Sequence, residues 1–486
     1  MPTRKAPVSA PFLFSKRTER KVRGLPGGGD RVLPVLLGLA AFFGLFFVSP
    51  FAADAHQYPK FLVFSVLTIA AGAWWMVLQV LRRERSIFVF PGGWEVILFI
   101  STIFLAFLFS KDYSLAFFGN PDQVGIPVLA MGAFVLFFFL AVQCFSSVAA
   151  VRRTVTCFLG CSVLALLFFL ARAFLPISVF FPRMGLSLFA FIPSITGFFA
   201  VVTSVLACGM LLFASSGKKW EQALAWAAFA VADALVVLIG DRPAWAGLAL
   251  GLAVLLFVRF RAGWRARPLP TAIATIMLLL ALCASFFGTP TSFRLAVPAA
   301  TSISSTETWQ TTHRALSQDV RSFLFGTGFG TFPSTFARFR PASVNNSANF
   351  SVVASPASGA LFGLLAEGGV VPMLGLILFL VMSGRSMVRS VRDAMQVLSG
   401  KTGREATGQG DAAAVLSLTA AFLAALVAGV AFAPTFSVVL TIVLLYAGLL
   451  VAATIAAGRP FRNVVPSRWM SLTGFPIGAI ALVTLV

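Results

Sequence analysis

This 486-residue chain is short of charge, above all of acid: Asp and Glu together number 16, His 2 and Tyr 3, and charged residues make up 11%. So few carboxylates leave no acidic cluster to hold a divalent cation by oxygen ligands. Cysteine is scarce as well. Cys144, Cys157, Cys161, Cys208 and Cys283 all fall in or beside apolar runs, which excludes a disulfide-stapled secreted domain. Cys157 and Cys161 share a helical face, but no His or carboxylate accompanies them, so they read as small buried hydrophobes. No metal and no cofactor is expected. The first 31 residues contain no apolar h-region, so no cleavable signal peptide is visible.

Apolar residues are abundant instead. Hydrophobic residues reach 59%, Phe alone supplies 53 positions, and the mean hydropathy is +0.94. A soluble core cannot use that composition. Stretches long enough to cross about 30 Å of hydrocarbon recur along the chain. Thirteen are predicted, at 33–53, 61–81, 94–110, 125–143, 154–171, 186–214, 220–240, 243–258, 271–287, 359–383, 412–433, 436–457 and 471–486. The run 186–214 is long enough to hold a broken helix around Pro193. The predicted fold class is therefore all-α, a polytopic integral membrane protein.

A net charge of +21 raises nucleic acid as a partner, but its distribution points to a membrane. Sorting the 37 Lys and Arg into alternate connections places 27 on one side. Basic residues mark the cytoplasmic side, so the N-terminus and the connection 384–411 are expected inside and 288–357 outside. Four regions follow: a basic cytoplasmic tail, 1–31, disordered and brushing anionic lipid; an N-terminal bundle, 32–287; a large outward loop, 288–357; and a C-terminal bundle, 358–486. Ser383 to Asp411 mixes Gly, Lys, Arg and Asp and reads as a mobile connector.

Ionisable groups in or beside spans are expensive unless paired or in a wet cavity. Asp233 reads either as an interhelical hydrogen-bond partner or as a functional group. Glu367 lies in Leu364-Leu365-Ala366-Glu367-Gly368-Gly369, and Arg242 at the turn Gly240-Asp241-Arg242-Pro243. A guanidinium at that surface can grip a phosphate bidentately or merely snorkel. In the outward loop, Thr308 to Leu316 predicts a helix with Trp309, His313 and Leu316 on one face. Phe325-Gly326-Thr327-Gly328-Phe329-Gly330-Thr331-Phe332 has the glycines of a nucleotide loop without its strand or Lys, so it reads as a tight turn that lets backbone approach a neighbour. Arg338 and Arg340 alternate with Phe336 and Phe339, cations beside aromatics.

Taken in order, Asp241 to Gly251, Trp309 to Arg314, Leu324 to Phe332 and Leu364 to Val371 resemble the O-antigen ligase and O-antigen polymerase family. Weaker echoes stand at Tyr58-Pro59-Lys60-Phe61 and Phe118-Gly119-Asn120. The resemblance covers roughly 240–383. It implies a GT-C-like fold in a bacterial cytoplasmic membrane. It also implies metal-independent transfer of a glycan from an undecaprenyl-diphosphate carrier to a sugar hydroxyl on a glycan or lipid acceptor, with membrane lipids as surroundings. On that resemblance Arg242 and Arg314 bind the diphosphate, and Arg321, Arg338 and Arg340 are looser candidates. Preorganised guanidiniums would stabilise the leaving diphosphate without a metal.

One position departs from the family. Where it carries a His nine residues before the Glu, this chain has Ser358, followed by Gly359. Serine is no general base unaided, which leaves His313 and Glu367 as the catalytic candidates. Two other readings stand beside the transferase: a non-catalytic component of a surface-glycan assembly machine, and a polytopic lipid or glycan transporter.

Overall fold

The computed structural model describes residues 32–47, 57–81, 87–89, 93–119, 127–145, 147–174, 193–213, 218–262, 267–290, 303–345, 357–398, 406–431, 435–456 and 462–464. The basic tail 1–31, the expected last span 471–486, and His56 lie outside them. Among the described residues, nine helices are long and apolar enough to cross a membrane. These are α2 (Tyr58–Leu81), α6 (Val148–Phe174), α7 (Pro193–Phe213), α8 (Lys219–Ile239), α9 (Arg242–Ala262), α10 (Pro268–Phe287), α16 (Val370–Leu398), α17 (Ala406–Ala431) and α18 (Phe436–Ala456). Three shorter apolar helices join them: α1 (Val32–Phe46), α3 (Gly93–Leu108) and α5 (Val128–Cys144). The protein is thus a multi-pass, helical membrane protein. Its described strands are one antiparallel pair of three-residue segments, β1 (Ile87–Val89) and β2 (Arg462–Val464), in register Phe88 to Asn463.

Sequence chemistry sets several boundaries. Gly240, at φ +69°, ends α8 in the left-handed conformation, and Pro243 follows in the first turn of α9. The helix of the run 186–214 begins at Pro193; the residues just before it lie outside the described set.

Two expectations fail. The run 359–383 is not one helix but two, α15 (Ala360–Gly368) and α16, broken at Gly369 with φ +76°. The supposed connector from Ser383 is helical through Leu398, and helix resumes at Ala406. Arg385, Arg389 and Arg392 recur at helical spacing, so α16 runs on past its apolar part, and charge there marks an amphipathic end rather than a loop.

Helices α7, α9 and α17 form the centre of the bundle, and small residues allow it. A Cβ on Gly247 would stand 2.8 Å from the Ala424 carbonyl, and one on Gly251 2.6 Å from Val205. Such close approach replaces the hydrophobic drive that lipid cannot supply. Some of the buried polar groups bond between helices. Ser204 of α7 donates to Asp233 of α8 at 2.7 Å, the interhelical bond that was one of the two readings of Asp233. Lys60 donates to the Leu45 carbonyl at 3.0 Å and to Ser437 Oγ at 3.1 Å, tying the end of α1 to the starts of α2 and α18. That use explains a cation at the Tyr58-Pro59-Lys60-Phe61 echo without a ligand.

Four short helices occupy the long loop: α11 (Ser305–Leu316), α12 (Val320–Phe325), α13 (Phe332–Phe339) and α14 (Ala342–Asn345). Earlier in the chain, α4 (Tyr113–Phe118) follows α3, capped by Asp112 and stopped by Gly119 at φ +81°. The loop has a small core, in which Ile303, Phe332, Phe336, Val344 and Ala357 are buried together with Ala366 of α15. It is therefore a packed subdomain that rests on the bundle.

Candidate functional site

A full capping box fixes the start of α11. Ser304 Oγ accepts the Glu307 amide at 3.2 Å, while the Glu307 carboxylate accepts the Ser304 amide at 3.0 Å. Its buried side is threonine-rich: Thr308, Thr311 and Thr312 are fully buried, and their hydroxyls return to carbonyls one turn back. Trp309 and His313 lie on the open side with ring centroids 6.1 Å apart, and Arg314 is exposed beside them. Leu316 is buried, so the face predicted for all three is split. Trp309 also meets Phe362 of α15 at 6.1 Å. Ser358 stands with its hydroxyl 3.2 Å from that of Ser305 and its amide directed at Thr308 Oγ1.

The two glycine segments singled out in the sequence meet face to face. Thr327 N–H donates to the Ala366 carbonyl at 3.1 Å and Gly328 N–H to the Glu367 carbonyl at 2.9 Å. A Cβ on Gly326 would stand 2.3 Å from the Glu367 carbonyl oxygen, and one on Gly369 2.4 Å from the Gly326 nitrogen. Glu367 closes the junction. Its Oε1 accepts the Phe332 amide at 2.9 Å, and Oε2 is buried without a partner among the described residues. Burial pushes this carboxyl up to about 7, against the lowering by the amides of Phe332 and Gly330. Glu367 therefore latches the turn; its carboxyl does not reach open solvent.

Arg321 is also committed. Its Nε donates to the Phe109 carbonyl at 2.8 Å, and its Nη2 to the carbonyls of Phe109 and Ser110, just beyond the end of α3. Phe109 and Phe325 stack at 4.3 Å beside it. Two of its three guanidinium nitrogens are thus spent on backbone, a structural use that the sequence reading missed. Arg338 lies 5.1 Å over the Phe339 ring and is exposed. Arg340, half-buried, caps α13, and Arg242 is exposed in the first turn of α9.

Below the latch lies an apolar cavity of about 260 Å³ between membrane helices. Phe99 and Ile103 of α3, Met131, Phe134 and Phe138 of α5, Phe379 of α16, Leu426 of α17 and Val438, Ile442 and Tyr446 of α18 line it. Its loop end is formed by Ala360, Leu361 and Leu364 of α15 together with Phe329 of the glycine turn. Helix α15 thus shows one side to the cavity while Phe362 meets Trp309 beside His313. None of the sequence-predicted site residues lines the cavity.

At the other end the sequence reading missed a buried carboxylate, Glu95. Tyr446 OH donates to its Oε2 at 2.8 Å, Ser383 Oγ to the same oxygen at 2.9 Å, and Ser386 Oγ to Oε1 at 3.3 Å. An acid two residues into α3, with Ser383 and Ser386 one turn apart on α16, was the available signal.

No family model matches the chain, and no curated protein matches its sequence.

Proposed function

We propose that this chain handles a lipid-linked glycan at the outer face of a bacterial cytoplasmic membrane, in the manner of O-antigen ligases and polymerases. The observation that carries this reading is the cavity: apolar, set among membrane helices, and ending at a helix whose other side meets Trp309 and, through it, His313. Such a layout suits an amphipathic ligand with its hydrocarbon chain in the cavity and its polar head among the loop helices. A polyprenyl-diphosphate glycan is such a ligand. About thirteen spans, a GT-C-like arrangement, a cytoplasmic N-terminus and an outward loop belong to the same reading.

In the transfer, the bond from the anomeric carbon to the carrier phosphate breaks and a bond to the acceptor hydroxyl forms. The hydroxyl proton passes to His313, exposed and beside an aromatic, and the diphosphate leaves on the carrier. Arg242 and Arg314 stabilise that leaving charge, with Arg338 and Arg340 as further cations. Glu367 acts through position, holding the turn.

A second reading, a non-catalytic member of a glycan assembly machine, is favoured by two observations. Ser358 stands at the family's His position and Glu367 is spent on backbone. The experiment is complementation of a deletion strain, with surface glycan and lipid-linked intermediates measured together. The transferase reading expects the deletion to accumulate carrier-linked glycan and His313→Ala to fail to restore transfer although the protein is made. Full restoration by His313→Ala and by Arg314→Ala would move the function to the assembly role.

A further inference from the structure

Phe329 belongs by sequence to a polar loop, yet its side chain is fully buried and forms part of the cavity wall. Gly328 at φ +114° and Gly330 at φ +74° flank it, and these conformations let a turn on the loop side drive one ring down among the membrane helices. The ring packs with Ile103 and Ala106 of α3 and Ala116 of α4. It does not hang loosely, because the amides of Thr327, Gly328 and Phe332 all bond to Ala366 or Glu367. A flat, fixed ring therefore closes the end of the cavity next to the polar loop, where a lipid chain would join its headgroup.

We propose that Phe329 is the specificity-determining residue for the chain segment nearest the headgroup. Its ring, held by the Glu367 latch, leaves a slot that takes a flat, unsaturated isoprenoid unit in preference to a saturated, branched one. This rests on the reading that the cavity takes the hydrocarbon chain. Discrimination by shape in an apolar pocket runs from about tenfold to about two hundredfold, so removing the ring should cost the pocket an effect of about tenfold.

The test is the binding of farnesyl phosphate and of its saturated counterpart, hexahydrofarnesyl phosphate, to the full chain in nanodiscs. The native protein should bind farnesyl phosphate the more tightly. Phe329→Ala should bring the ratio of the two affinities toward one by about tenfold, with Phe329→Leu, which keeps most of the volume, in between. Ile442→Trp, which fills the cavity from α18 away from the turn, should weaken both ligands. If Ile442→Trp weakens both but the ratio is unchanged in Phe329→Ala and Phe329→Leu, the cavity holds the chain and the role of Phe329 is wrong. If none of the three variants alters either affinity, the chain reading itself is wrong and this inference falls with it.

Discussion

The carboxyl of Glu367 accepts the amide of Phe332 at 2.9 Å, while its own carbonyl accepts the amide of Gly328 at 2.9 Å. One residue of α15 therefore holds both ends of the glycine turn. Deleting that carboxyl by Glu367→Ala leaves the buried Phe332 amide unpaired, at about 1–3 kcal/mol. Glu367→Gln keeps an acceptor and should stay close to native stability. Thermal unfolding in detergent distinguishes the two, and equal losses in both would contradict the latch.

The same residue sets a pH dependence. Burial raises the folded carboxyl to about 7, above its unfolded value of about 4.3. The folded state thus holds the proton more tightly, so this contribution is fully present below the unfolded value and is lost as pH rises through about 7. The native protein should lose thermal stability relative to Glu367→Gln between about pH 4.5 and 7.5. Parallel curves for the two proteins would show that Glu367 does not titrate in this window.

Glycine substitutions should separate sharply by site. Gly326→Ala and Gly369→Ala place a Cβ against backbone at 2.3 and 2.4 Å and impose a left-handed conformation on an L residue, so both should unfold the loop junction. Gly132→Ala and Gly160→Ala meet nothing within 4 Å in helices, and should be neutral or stabilising by about 0.5–1 kcal/mol. Purification yield and melting temperature read the difference; tolerance of Gly326→Ala would show that the two segments do not touch.

Arg321→Lys tests whether this side chain serves backbone or ligand. An ammonium cannot span the carbonyls of Phe109 and Ser110 as the planar fork does, so stability should fall by about 1–2 kcal/mol. Binding of a diphosphate lipid by the folded fraction should be unchanged. Native stability with lost binding would return Arg321 to the ligand.

Apolar content alone locates most of the long helices, because span length and basic flanks are strong, redundant signals. The break at Gly369 is hidden, since Glu367 is the one charge in an otherwise apolar run and only the approach of Gly326 and Leu324 demands a kink there. The helix past Ser383 is hidden for the opposite reason, because Arg385, Arg389 and Arg392 read as the end of a span although helix continues through them. At the candidate site, the meeting of the glycine turn with a neighbour was legible from its residues, and the pairing of Trp309 with His313 from their spacing. The fate of Arg321 and the Glu95 cluster was not. Both depend on partners more than 200 residues away in the chain, which no local pattern encodes.

The central claim, a lipid chain in the cavity with its head beside α11, is tested most directly by photo-crosslinking. A polyprenyl diphosphate with a diazirine in the first isoprene units would be bound to the full chain in nanodiscs and the labelled residues mapped by mass spectrometry. The account predicts label on Met131, Leu364 and Ile442, competed by unlabelled carrier and lost in Ile442→Trp. Label spread instead over bundle-surface positions such as Leu164, Leu279 and Phe286, with none inside the cavity, would contradict it.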